Sequence, residues 1–176
     1  MPEPIEITNM KNNCDNREYV LNSVKNNGKL LEFASEELKN DREIVLEAVN
    51  NNPEAFEFAS KELKGDREIA FISVSKLGWT YCYVQDVLKN DKELLIAGLK
   101  KDGQILYFSN ENMRDDKEVV LAAVKNKGLI YKYASKRLRD DKEIAIEAVK
   151  QNKDAYQFLS DELKNDEDIK TLLPSE

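Results

Sequence analysis

An interval of 25 residues governs this chain. Asn16, Asp41, Asp66, Asp91, Asp116, Asp141 and Asp166 follow one another at that spacing without an insertion. Six full repeats result, 16–40 through 141–165, with a seventh that stops after DEDIKTLLPSE. A period of this length marks an architecture in which each repeat is one supersecondary element. Such an element cannot bury its apolar face alone and stacks on its neighbours to do so. With the Asx position taken as column 0, every residue can be compared with its equivalents in the other repeats.

Columns 3, 4, 5, 7 and 8 are apolar or small, as in Ile44, Val45, Leu46, Ala48 and Val49. At about 100° per residue they cover a little over half of a helix. Columns 2, 6, 9 and 10 face the other way, leaving one strip for water. Asn or Asp precedes column 0 (Asn40, Asn90, Asp115, Asp140), and Glu follows three residues later (Glu43, Glu93, Glu118, Glu143). That is the spacing of a capping box. Gly28, Pro53, Gly78, Gly103 and Gly128 at column 12 are expected to stop the helix, the glycines through a left-handed residue.

A second helix follows, with apolar columns 14, 15, 17, 18 and 22. The aromatic at column 17 (Phe33, Phe58, Tyr83, Phe108, Tyr133, Phe158) is expected in the core, as a wedge between repeats. Ser at column 19 (Ser35, Ser60, Ser135, Ser160) either bonds back to the helix or caps a short final turn. The second helix is therefore read as α followed by 3₁₀.

The fold class these patterns predict is all-α, an α-solenoid of six helix-pair repeats plus a C-terminal capping helix. Residues 1–15 read as an N-terminal tail or cap, 16–165 as the repeats, and 166–176 as a capping half-repeat and tail. No shift in composition divides the chain, so one domain is expected. The recurring [ND]-D-[RK]-E-[IVL]-x-[LIF]-x-A-V-x-x-N-G, then L-x-[FY]-A-S-x-x-L, resembles the tandem repeat called domain of unknown function 4116, over about residues 15–173. It is also similar, more weakly, to the all-helical leucine-rich repeat variant. The resemblance implies a repeat fold and no activity, cofactor or site residue. Repeat 3 departs most, with Val84 and Gln85 for Ala-Ser and Leu77 for Asn.

Composition narrows the function classes. The net charge of -7 opposes a role in neutralising phosphates, so nucleic acid is disfavoured as a partner. Two cysteines, Cys14 and Cys82, make no disulfide framework and point to a reducing compartment. The first residues read as no signal peptide, and no apolar run approaches the roughly 20 residues of a membrane span. A cytoplasmic protein is expected, or one delivered into a host cytosol as part of an effector. The absence of histidine removes the commonest general base and metal ligand. No CxxC pair or GxxxxGK[ST] loop occurs. The densest acids, Asp115-Asp116, Asp140-Asp141 and Asp166-Asp168, fall in the repeated helix starts. Catalytic, cofactor-binding and metal-binding residues are expected to be absent, and the chain is read as not an enzyme.

Three departures from the repeat carry the functional expectations. Arg17, Arg42, Arg67, Lys92, Lys117 and Lys142 form a basic column 1, read as an ion-pair ladder to neighbouring repeats rather than an anion-binding row. Repeat 5 sets seven basic residues against three acids, a formal +4. Its Lys125, Lys127, Lys132, Lys136, Arg137 and Arg139 make a possible anion patch. Finally, columns 13 and 16 of the second helix should face water and are polar in the outer repeats. In the central ones they hold Trp79, Cys82, Tyr107 and Leu129. These four are the candidate partner-binding residues, because exposed apolar strips and aromatic anchors mark interaction surfaces. Column 6 breaks in parallel: Asn22, Glu47 and Glu147 in outer repeats, Ile72, Ala97 and Ala122 in central ones. The expected function is a non-catalytic scaffold for a protein or peptide. A homo-oligomer using the same strip is the alternative, with acidic-ligand or nucleic-acid binding through repeat 5 behind it.

Overall fold

The computed structural model describes residues 4–173, and every regular element among them is helical. Residues 1–3 and 174–176, the outer ends of the expected N-terminal and C-terminal tails, lie outside the described residues. Contacts divide the chain into two compact units, one ending at Leu88 and the other beginning at Lys89.

In the N-terminal unit, α1 (Ile5–Asn12) packs on α2 (Arg17–Asn26) and on the 3₁₀ helix Gly28–Phe33. There follow α3 (Arg42–Asn51), the 3₁₀ helix Pro53–Phe58, α4 (Arg67–Lys76) and the 3₁₀ helix Gly78–Tyr83. The C-terminal unit runs α5 (Lys92–Leu99), 3₁₀ Gly103–Phe108, α6 (Glu111–Arg114), α7 (Lys117–Asn126), 3₁₀ Gly128–Tyr133, α8 (Lys136–Arg139), α9 (Lys142–Gln151), 3₁₀ Lys153–Phe158, α10 (Asp161–Lys164) and α11 (Glu167–Lys170). Within each unit the long α-helices pack side by side in one layer and the six-residue 3₁₀ helices in a second. The all-α tandem-repeat architecture is as expected. α11 closes the C-terminal unit against α9, with Ile169 fully buried.

Columns 3, 4, 7 and 8 of α3, α4, α5, α7 and α9 are buried, as in Ile44, Val45, Ala48 and Val49, while column 5 is half-buried; in α2, Tyr19 and Ser23 are half-buried. Each fully buried Ile, Val or Phe contributes about 1.5–3 kcal/mol. The helix start differs from the expected capping box by one residue. Asp41 itself is the N-cap, its Oδ1 accepting from the amides of Glu43 (3.0 Å) and Ile44 (3.2 Å). Asp66, Asp116 and Asp141 do the same. Glu43 therefore sits at the second helical position, where a side chain is free to reach a neighbouring repeat.

The second helix also departs from expectation: 3₁₀ geometry leads, and a short turn or single α-turn follows. Asn27, Asn52, Asp102 and Asn152 at column 11 cap the 3₁₀ helix, accepting from the amide two residues on. Ser at column 19 caps the final turn, with Ser60 Oγ accepting from Leu63 N at 3.1 Å. Three residues per turn sorts the 3₁₀ helix into three rows instead of one broad stripe. Columns 15 and 18 point inward; Leu31, Phe56, Leu106 and Tyr131 are fully buried. Columns 14 and 17 share the next row; column 14 is buried in every repeat, but the column 17 aromatics, one turn on, are not core. They are half-buried, and Phe108 is exposed.

Glycine at column 12 has a different cause from the one expected. No described residue has a left-handed backbone. A Cβ on Gly103 would lie 2.6 Å from the Ala123 carbonyl oxygen of the next repeat, and those on Gly28 and Gly128 would press still harder on Ala48 and Ala148. Close approach of two backbones, not a turn, excludes the side chain.

Candidate protein-interaction site

The polar columns that join repeats are engaged, which limits where a partner can bind. Arg17 reaches Asp41 (2.7 Å) and Glu43 (2.5 Å), and Arg42 reaches Asp66 (2.8 Å) and Glu68. Lys92, Lys117 and Lys142 repeat the pattern at 2.6–2.8 Å. Within each unit column 1 is thus a ladder of ion pairs, in which Arg17, Arg42, Lys92, Lys117 and Lys142 each clasp the N-cap carboxylate of the next repeat. Burial alone would raise the Asp41, Asp66, Asp116 and Asp141 carboxyls. The clasping cation and the two capping amides outweigh it and hold them below the ordinary carboxylate range.

The side chains facing away from the core are the accessible ones. Column 16 is exposed in every repeat, because it lies on the third row of the 3₁₀ helix. In repeat 4 it carries Tyr107, 56% exposed, beside Phe108, 50% exposed. The two rings meet edge to face at 5.3 Å, and Tyr107 meets Tyr133 of repeat 5 the same way at 5.1 Å. Lys132 lies over the rings of Tyr133 (5.0 Å) and Phe158 (5.6 Å). The result is an aromatic row on the 3₁₀ face of the C-terminal unit, with an ammonium on it. Phe108 and Tyr133 come from column 17, which the α-helical stripe assigns to the core.

The four expected partner-binding residues divide between the two units. Trp79 and Cys82 belong to the N-terminal unit. Trp79 is half-buried and leans edge-on against Tyr83 at 5.5 Å, while Cys82 is exposed. Burial, with the neighbouring Glu57 carboxylate, pushes the Tyr83 hydroxyl up to about 12. Tyr107 and Leu129 belong to the C-terminal unit, and Leu129 is half-buried at the start of its 3₁₀ helix.

The six basic residues of repeat 5 fall into separate settings. Lys132 is on the aromatic row. Arg137 is committed to Asp115, through its carboxylate (3.2 Å) and its backbone carbonyl (2.6 Å). Lys136 is exposed, Lys127 half-buried, and the backbone carbonyl of the half-buried Arg139 accepts from the Tyr131 hydroxyl. Lys125 is on the α-helical face, where it borders a groove of about 760 Å³ floored by Ile96, Leu121 and Ala122 and rimmed by Lys100, Lys117, Glu118 and Glu143.

No helix among the described residues is long and apolar enough to cross a membrane. Comparison with curated proteins and with solved structures finds no match. The family described as Domain of unknown function (DUF4116) matches residues 16–64, 66–114 and 116–164, each match spanning two consecutive repeats. With most of its length in those three matches, the chain belongs to the DUF4116 family of helical-repeat domains.

Proposed function

We propose that this chain is a non-catalytic helical-repeat scaffold that binds a protein or peptide segment through the 3₁₀ face of its C-terminal unit. The observation that carries it is the half-exposed pair Tyr107 and Phe108, edge to face with each other, with Tyr107 also edge to face with Tyr133. Rigid aromatics in a row give large contact area at little entropic cost, which is why they anchor protein interfaces. Lys132 beside them favours a segment that carries an acidic residue next to its apolar ones. The perturbed aspartates are accounted for by helix capping and the ion-pair ladder, which supports a structural rather than an acid–base use for them. Cys14 and Cys82 are not joined in a disulfide, which suits a cytosolic setting.

The test is a peptide library selected against the intact protein, followed by affinity measurements on Tyr107→Lys/Phe108→Lys with circular dichroism as the folding control. Selected peptides should bind the variant at least about tenfold more weakly while its helical signal is unchanged. Peptides that bind both proteins equally would refute the assignment. Self-association lost in the variant would transfer the same face to a second copy of this chain.

A further inference from the structure

We infer a second, independent binding surface: the groove on the α-helical face between α5 and α7 takes an acidic peptide, whose carboxylates replace side chains that repeats 4 and 5 lack. The comparison lies within the C-terminal unit. In repeat 6, Lys150 is paired at 3.2 Å with Glu147, three residues before it on α9. The equivalents in repeat 5 are Lys125 and Ala122, and in repeat 4 Lys100 and Ala97. Removing the acid from column 6 does two things at once. It opens the groove, whose floor of Ile96, Leu121 and Ala122 is apolar. It also leaves Lys100 and Lys125 with no carboxylate within ion-pair distance among the described residues, although both border that groove.

The lysines at the opposite end of the groove are already answered by carboxylates. Lys117 holds Asp141 and Glu143, and Glu118 pairs with Lys92. Unanswered positive charge therefore sits only at Lys100 and Lys125. Glu118 and Glu143 on the rim repel a continuous polyanion, so discrete carboxylates fit better than a nucleic-acid backbone. Packed helices lie about 8–10 Å apart. Two carboxylates about 9 Å apart, three residues of polyproline II chain, share one face of its threefold turn and would answer both lysines.

The probe is a short capped peptide containing Glu-Leu-Ser-Glu, with Gln-Leu-Ser-Gln as control. The readout is the methyl shifts of Ile96, Leu121 and Ala122 in the full chain. The Glu peptide should shift these methyls and saturate, while the Gln peptide should shift them at least about tenfold more weakly. Ala122→Glu, which restores the repeat 6 arrangement, and Lys125→Gln should each weaken binding by a similar factor. Tyr107→Lys should leave it unchanged, which separates this surface from the aromatic row. No shift at millimolar peptide, equal shifts from the Gln control, displacement by a single-stranded oligonucleotide, or full binding to Ala122→Glu would each overturn the inference.

Discussion

Two junctions of the N-terminal unit solve one problem in opposite ways. Between repeats 1 and 2, the Gly28 amide donates to Asn51 Oδ1 at 2.8 Å, and Asn51 Nδ2 donates back to the Lys25 carbonyl at 2.9 Å. One amide side chain thereby satisfies a buried donor and an orphan carbonyl at the end of α2. Between repeats 2 and 3, column 12 is Pro53, which has no N–H. The facing residue is Lys76, which has no acceptor, and it donates to the Asn50 carbonyl at 2.9 Å. The C-terminal unit keeps the first solution, with Asn126 clamping Gly103 and Gln151 clamping Gly128. The difference teaches that columns 12 and 10 are chosen as a pair across a junction. A donor to be satisfied calls for an amide; its absence allows a pure donor.

The largest effect should come from filling the space the clamp depends on. Gly28→Ala and Gly128→Ala would drive a methyl group into a neighbouring carbonyl, and urea unfolding should show a loss of about 3 kcal/mol or more. Next is the clamp itself. Asn51→Ala leaves the part-buried Gly28 amide unpaired and should cost about 1–3 kcal/mol. Lys76→Ala, at the proline junction, should stay within about 0.5 kcal/mol. Equal losses at the two sites would break the pairing rule.

The ladder gives a smaller, pH-dependent effect. Asp116→Asn with Asp141→Asn keeps the N-caps, since Asn caps as well as Asp, and removes the carboxylates that Lys92 and Lys117 clasp. The folded carboxyls titrate below the unfolded value of about 3.9. Their contribution is present above that value and is lost as pH falls through the lowered folded values. The double variant should therefore be less stable than wild type at pH 7, and the gap should narrow as the pH is taken below the unfolded value. It should also narrow in high salt, because the pairs are solvent-exposed. Smallest is Gly65→Ala, where a Cβ would make an ordinary 3.4 Å contact with Val87 and the backbone is not left-handed. It should stabilise by about 0.4–1 kcal/mol through the unfolded state.

Much of this was legible in the sequence, and the exceptions share a cause. The 25-residue period, the buried Ile44–Val45–Ala48–Val49 pattern and the basic ladder follow from spacing alone. The N-cap was misplaced by one residue because Asn40 and Asp41 are both capping types, and only geometry shows which one accepts from Ile44 N. Asn40 instead receives the Ser60 hydroxyl of the next repeat at 2.5 Å. The column 17 aromatics were placed in the core because a run of apolar residues at 14, 15, 17 and 18 fits an α-helix as well as a 3₁₀ helix. Phe108 ends its 3₁₀ helix half exposed, one turn after the fully buried Ile105. The column 6 break was visible as sequence. Its consequence for Lys100 and Lys125 needed the Glu147–Lys150 pair as a reference.

Phe108 is assigned to the proposed interaction face, and Leu106, two residues away in the same 3₁₀ helix, to the core. Urea unfolding of Leu106→Ala and Phe108→Ala, measured side by side, tests this directly. Leu106 is fully buried, and its truncation should cost about 2–5 kcal/mol. Phe108 is half exposed, and its truncation should cost about 1 kcal/mol or less. A Phe108→Ala loss as large as that of Leu106→Ala would place the aromatic column back in the core and remove the proposed interaction face.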